Sequence, residues 1–245
     1  MNIGTYFDGE EQADDKDTTY VYSRTITDHI WNYAYRRSQL PWDDESLHTA
    51  RELAVAHGRE PAVWQLGTNK PLSGWNDQGQ EAWMVSPLEA IPESNVDGLD
   101  ISIRDKPDEE MIAVFNDAYS SEVGEDEVGY FALPPEYGSA YSNGEPGPGV
   151  AAYHLAGLVD GVCVSIATLF VVGGVAGLYA VATRPTARRH GYGRAISAAA
   201  LAKAREEGAS SVLLQTDAGS PVEEMYASLG FKTQFIGSLF TYSSG

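Results

Sequence analysis

Leu178-Tyr-Ala-Val-Ala-Thr-Arg-Pro-Thr-Ala-Arg-Arg-His-Gly-Tyr-Gly193 joins an apolar run to a cationic, glycine-punctuated loop. Behind it, Gly191 to Glu207 reads as a helix, with Ile196, Ala200, Lys203 and Glu207 recurring at turn spacing. Gly208 supplies the stop. A strand that enters a helix through such a loop has a physical use. The first N–H groups of a helix lack intrahelical partners and carry partial positive charge. Glycines let that backbone approach a pyrophosphate with no Cβ in the way. Taken alone, the same pattern is also that of a plain turn.

Upstream, Gly161 to Thr183 is 23 residues without a formal charge, long enough to span a bilayer. Its Val, Ile, Thr and Phe content and the central Gly173-Gly174 favour strands and a turn instead. Asp160-Gly161 is a second hairpin signal. Three consecutive antiparallel strands follow, at about 151–159, 162–172 and 175–183. Still earlier, Leu99–Arg104 alternates as a strand. Pro107-Asp108 opens a helix to about Tyr119, and a short helix is expected near Pro134–Tyr141. Downstream come a short strand at Val212–Leu214, a helix at Pro221–Leu229 capped by Ser220, and one or two strands over Phe231–Tyr242. Interleaved helices and strands make the class α/β or α+β, with a mixed, mostly antiparallel sheet flanked by helices.

In the first 97 residues, Thr18–Thr27, Pro61–Leu66 and Glu81–Val85 read as strands and Asp43–His57 as a helix. Pro87–Asp97 reads as a linker, which divides the chain into a smaller α/β segment at 1–97 and a domain at 98–245.

Charge narrows the partners. The net charge is −19, from 35 acidic residues against 16 Lys and Arg, and only five of the cations are lysine. Such a surface repels nucleic acid and anionic membrane. It also fits a protein kept soluble in concentrated salt, where self-repulsion is screened, so a salt-adapted source is expected. Yet no acid occurs from Gly161 to Arg205, a window that holds Arg184, Arg188, Arg189, Arg194, Lys203 and Arg205. An acidic protein has kept one cationic region, as an anion site requires. The single cysteine, Cys163, excludes an internal disulfide and a paired-cysteine metal site, and the histidines show no metal-ligand spacing. Met1 to Asp17 has neither a basic nor an apolar signal region, which makes a cytoplasmic location the default.

The stretch Ala180–Ala195 resembles the acetyl-CoA signature of the GNAT superfamily, Arg/Gln-x-x-Gly-x-Gly/Ala, through Arg188, Gly191 and Gly193. Tyr226-Ala-Ser-Leu-Gly230-Phe231 resembles its second hallmark, Tyr-x-x-x-Gly-Phe, at the offset the family has. The resemblance covers about Leu99–Gly245 and implies a GNAT fold and an N-acetyltransferase using acetyl-CoA, with direct attack by an amine in a ternary complex. It implies that the amides of Arg189, His190, Gly191, Tyr192, Gly193 and Arg194 hold the pyrophosphate. Ala180, Val181, Ala182 and Thr183 would then offer backbone groups to the pantetheine arm, and Tyr226 would protonate the departing thiolate. Many relatives carry a base glutamate on the strand before the loop; this chain has none. His154, Asp160, Tyr179, the acids of Glu122–Glu127 and a water chain remain as candidate bases. That gap favours the rival reading, a non-catalytic acyl-CoA-binding or interaction module. The segment Ser46–Leu66 resembles part of a second, degenerate GNAT repeat without the phosphate loop. Trp31, Tyr33, Tyr35, Trp42, Trp64, Trp75 and Trp83 either line an acceptor pocket or form a small core. An oligomer is compatible with all of this.

The charge reading is open to test. Thermal unfolding followed from about 0.1 M to 3 M KCl should show a clear rise in midpoint as the Debye length shortens. A flat or falling curve would remove the salt-adaptation reading.

Overall fold

The computed structural model describes residues 9–13, 17–38, 40–67, 70–122, 130–131 and 133–242. Its strands and helices run in the order β1 (Gly9–Ala13), β2 (Thr18–Ser23), β3 (Tyr33–Arg36), α1 (Asp44–Ala56), β4 (Ala62–Leu66), β5 (Asn76–Ser86), β6 (Leu99–Arg104), α2 (Glu109–Tyr119), β7 (Ser121–Glu122), β8 (Tyr130–Phe131), α3 (Pro135–Asn143), β9 (Ala151–Val159), β10 (Val162–Val172), β11 (Val175–Thr183), α4 (Tyr192–Glu206), β12 (Ser211–Asp217), α5 (Pro221–Ser228) and β13 (Lys232–Thr241). Contacts divide the chain into two compact units. One holds residues 85–214 and 225–232; the other holds residues up to Met84 with 215–224 and those from Thr233 on.

In the first unit the strand order is β12-β11-β10-β9-β6. The meander β9–β10–β11 has the bounds its apolar runs and two glycine turns dictate. β6 lies antiparallel to β9, and β12 lies parallel to β11. Helices cover both faces. A Cβ on Gly157 would come 3.6 Å from Cδ1 of Ile196, which puts α4 over that face. On the other face Tyr141 of α3 stacks on Phe115 of α2, ring centroids 4.6 Å apart. α4 buries Ile196, Ala200, Leu201 and Ala204 against the sheet, the turn-spaced stripe of an amphipathic helix. The side chain of Asp108 caps α2 by accepting from the N–H of Met111.

The second unit has the order β1-β2-β3-β4-β13-β5. β4 lies antiparallel to β13, with Trp64 opposite Leu239, while β3 and β4 are parallel. α1 packs on one face over Tyr20, Ala34, Trp42, Val63 and Phe240. On the other face Ala62, Trp64 and Leu239 gather Tyr33, Tyr35 and Leu66. Trp42 and Trp64 are thus core residues, joined by a bond from Trp42 Nε1 to the Trp64 carbonyl of 3.0 Å.

Some boundaries differ from the sequence reading. β2 stops at Ser23, short of Thr27, because Ser23 Oγ accepts from the N–H groups of Thr25 and Ile26 and turns the chain. β5 reaches back to Asn76 through polar residues that carry no apolar alternation. β1 and β3 are additional strands, and Phe231–Tyr242 yields one strand, not two.

Gly157 and Gly177 in the meander both lack room for a side chain. A Cβ on Gly177 would lie 2.5 Å from Cε2 of Tyr179. Gly177→Ala should therefore lower stability by about 1–3 kcal/mol, read as a reduced urea midpoint with an unchanged slope.

Candidate active site

The described residues singled out for the cofactor and for proton transfer fall in the unit formed by 85–214 and 225–232, whereas the aromatics considered for an acceptor pocket, from Trp31 to Trp83, fall in the other. The site begins with an irregularity in β11. Tyr179 pairs with Thr168 and Ala182 with Ile166, so Ala180 and Val181 together face the single residue Ala167. This is a β-bulge, and Ala180 sits in it at φ +48°, a left-handed conformation unusual for a residue with a Cβ. On the opposite edge, β11 pairs with β12 only over Val175–Gly177. From Leu178 to Thr183 that edge has no ladder partner among the described residues, so Ala180, Val181, Ala182 and Thr183 lie along an open run of backbone.

The strand then enters the loop. Arg189 takes φ +66° and Gly191 φ +84°, and Gly191 is the N-cap of α4 with no side chain bonding the helix amides. The amides of Tyr192, Gly193 and Arg194 therefore point out of the helix uncapped, with the positive end of its dipole. Gly193 lies close under β11: a Cβ there would be 3.3 Å from Thr183 Oγ1.

The arginines of the loop do different work. Arg184 donates from Nε to the Cys163 carbonyl at 2.9 Å and pairs with Asp117. Arg188 donates to the carbonyls of Ala118, at 2.9 Å, and Thr183, at 3.3 Å. Arg194 donates to Ser228 Oγ and to the Glu93 carbonyl. Arg189 is exposed and, among the described residues, is the loop arginine without a partner. His190 donates from Nδ1 to the Arg188 carbonyl and stacks on Tyr192. The side chain of Arg188 thus clasps the end of α2 to the end of β11. Tyr119 adds to that clasp with a hydrogen bond of 3.3 Å from its hydroxyl to the Val181 carbonyl, inside the bulge.

Tyr226, on α5, is 6% exposed and packs edge-on against Phe231. Burial first, and then the nearby Tyr119, raise its phenol above the ordinary range; the neighbouring Ser197 hydroxyl acts the other way. Ser197 Oγ donates to the Gly193 carbonyl at 2.8 Å. Neither Ser197 nor Tyr119 was singled out by the sequence. Each is an ordinary helix residue there, and only the packing of α2, α4 and α5 reveals its partner.

The candidate bases separate. His154 is buried at 3% exposure, bonds through Nδ1 to Thr168 Oγ1 at 3.1 Å, and is pushed down to about 4 by desolvation. It is a neutral imidazole in a strand. Tyr179 fills the space above Gly177 and is pushed up to about 12 by burial. Cys163 is raised to about 11, again first by burial, and remains a core thiol. Asp160 occupies the exposed β9–β10 turn at φ +50°. Of the acids of Glu122–Glu127, those at 125–127 lie outside the described residues. Among the described residues no cluster of three His, Cys, Asp or Glu is arranged to hold a metal, and no helix is long and apolar enough to cross a membrane.

Among solved structures, a GCN5-related N-acetyltransferase from Kribbella flavida is 19% identical, with TM-score 0.69 over 99% of this chain and 92% of that one. An acetyltransferase of the GNAT family from Novosphingobium aromaticivorans is 14% identical, with TM-score 0.57 over 95% and 91%. A tandem GNAT protein from the clavulanic acid biosynthesis pathway is 14% identical, with TM-score 0.61 over 93% and 78%. At these identities the likeness speaks to the fold. No curated protein matches the chain. The sequence profile of the acetyltransferase (GNAT) family matches residues 109–231, from the start of α2 to the Phe of the second motif. With half of its length matched and the bulged strand, the uncapped helix and the buried tyrosine in one unit, the chain belongs to the GNAT acetyltransferase family.

Proposed function

We propose that the chain is an N-acetyltransferase that moves the acetyl group of acetyl-CoA to a primary amine by direct attack in a ternary complex. The observation that carries this reading is the continuity of an open, bulged strand edge at 180–183 with the uncapped amides of 191–194. The residues present suit acetyl-CoA. The amides from Arg189 to Arg194 and the unpaired Arg189 meet the needs of a pyrophosphate, and the free edge of β11 meets those of the amide-bearing pantetheine arm. Within the division 1–97 and 98–245, all of this cofactor machinery falls in the second segment.

Two proton events have to be served. The thiolate leaves as the tetrahedral intermediate collapses, and Tyr226 is the group proposed to give it a proton. Its burial keeps the phenol protonated through the neutral range. The same burial makes a thiolate beside it a stronger base than in water, so the transfer stays matched. The amine proton is assigned to water, because His154 is desolvated and neutral and Tyr179 is held as a phenol. The absence of an acid from Gly161 to Arg205 supports the second reading, an acyl-CoA-binding module without turnover. Thiol release across a panel of amines separates the two.

The cradle is tested at Gly191. A glutamate there meets a left-handed backbone, at a cost of roughly 1–2 kcal/mol, and places a carboxylate against the amides. Gly191→Glu should leave a folded protein that no longer binds acetyl-CoA by calorimetry; unchanged affinity would move the cofactor elsewhere. The proton donor is tested with a productive amine from the panel. General acid catalysis is worth about 10²–10⁴-fold, so Tyr226→Phe should lower kcat at least ten-fold and leave acetyl-CoA affinity near wild type. Wild-type turnover under chemistry-limited conditions would make Tyr226 a packing residue.

A further inference from the structure

β6 ends the strand order of its unit and pairs on one side only, with β9, from Leu99 opposite Val159 to Arg104 opposite His154. Its other edge has no strand partner among the described residues. Alternate N–H and C=O groups along such an edge point outward and are free to pair with another chain. Natural edges are usually blunted by charge, proline or a bulge. Here the middle of the strand is Asp100-Ile101-Ser102-Ile103-Arg104, and Ile101 and Ile103 are 37% and 49% exposed.

The order of these residues has a further property. If two copies of β6 run antiparallel about a twofold axis at Ser102, each residue meets the one that mirrors it. Ile101 faces the partner's Ile103, Ser102 faces the partner's Ser102, and Asp100 faces the partner's Arg104, twice over. Apolar meets apolar and acid meets base across the whole contact. Asp100 is exposed; among the described residues the buried Nε of Arg104 makes a loose contact of 3.7 Å with Asp108, and the side chain as a whole is 39% exposed. An isologous interface requires this kind of self-complementarity, and directly opposed pairs are what stabilise or penalise a strand register. A shift by one residue either way sets one of the two charges against an isoleucine and loses every match.

We propose that two copies of this chain associate through antiparallel pairing of β6 with β6, extending the sheet across a twofold axis at Ser102. Each copy carries −19 charges, so long-range repulsion opposes the contact at low ionic strength. Association therefore strengthens as salt shortens the range of that repulsion.

Sedimentation velocity on the full chain at about 1 M KCl, across the micromolar range, should show a monomer–dimer equilibrium. Asp100→Arg sets two arginines against two, and Arg104→Asp sets two acids against two. Each variant alone should self-associate roughly ten-fold or more weakly than wild type. Mixed in equal amounts they should recover the wild-type dimer, because in the mixed pair every facing charge is again opposite. Circular dichroism melting of both variants shows whether they fold; Asp100 is exposed and its variant should keep a midpoint near wild type, while Arg104→Asp also loses the contact with Asp108 and is compared at a temperature where it is fully folded. A wild-type chain that is monomeric throughout overturns the proposal. So do single variants that dimerise like wild type, and folded variants whose mixture stays as dissociated as each alone.

Discussion

A regular β11 would pair with β12 along its whole length and offer nothing to a ligand. The bulge at Ala180 and Val181 breaks that regularity at the point where the strand leaves its parallel neighbour. Holding an alanine at φ +48° costs on the order of 1 kcal/mol, so the surroundings have to prefer the bulged form. They do so through α2. Its last turn is tied to β11 and the following loop by Tyr119 on the Val181 carbonyl, by Arg188 on the Ala118 and Thr183 carbonyls, and by Arg184 on Asp117. The clasp joins segments about sixty to seventy residues apart in sequence, and it fixes both the open edge and the start of α4.

The cationic window takes on a different meaning in this light. Four arginines within eleven residues suggest a patch of positive charge waiting for phosphate. Three of them are committed to carbonyls, a carboxylate or a hydroxyl of the chain itself. In the proposed reading the backbone amides and the helix dipole meet the anion, with Arg189, which has no partner among the described residues, beside them. The lack of nearby acids matters more than the surplus of arginines, because one carboxylate at the mouth of α4 would oppose the amides directly.

How much of this was legible depended on whether the deciding interactions are local. β9, β10 and β11 could be read residue by residue, since continuous apolar runs and paired turn residues at Asp160-Gly161 and Gly173-Gly174 leave little choice. The capping of α2 by Asp108 and of α5 by Ser220 was likewise written in neighbouring residues. β3, four residues long, and the polar first half of β5 carry no such pattern; they are strands because neighbours pair with them. The bulge was invisible for the same reason, as nothing distinguishes Ala180 from Ala182 until β10 sets the register. Tyr226 was recognisable from its spacing to Gly230 and Phe231. Ser197 looked like one more small residue in an alanine-rich helix, and its link to Tyr226 arises from packing across 29 positions of sequence.

The pairing of β4 with β13 bears on how the chain is made. Val63 and Phe240 lie opposite one another and belong to one apolar cluster with Tyr20 and Trp42, yet they are separated by more than two thirds of the sequence. During synthesis, β1 to β4 emerge early and must wait for the strand that completes their sheet. Until it arrives, the apolar faces around Trp64 and Val63 lack a partner and are open to wrong ones. Closure of this unit is a late, long-range event of the kind that slows folding. The meander β9–β11, built from neighbours in sequence, can assemble as it leaves the ribosome.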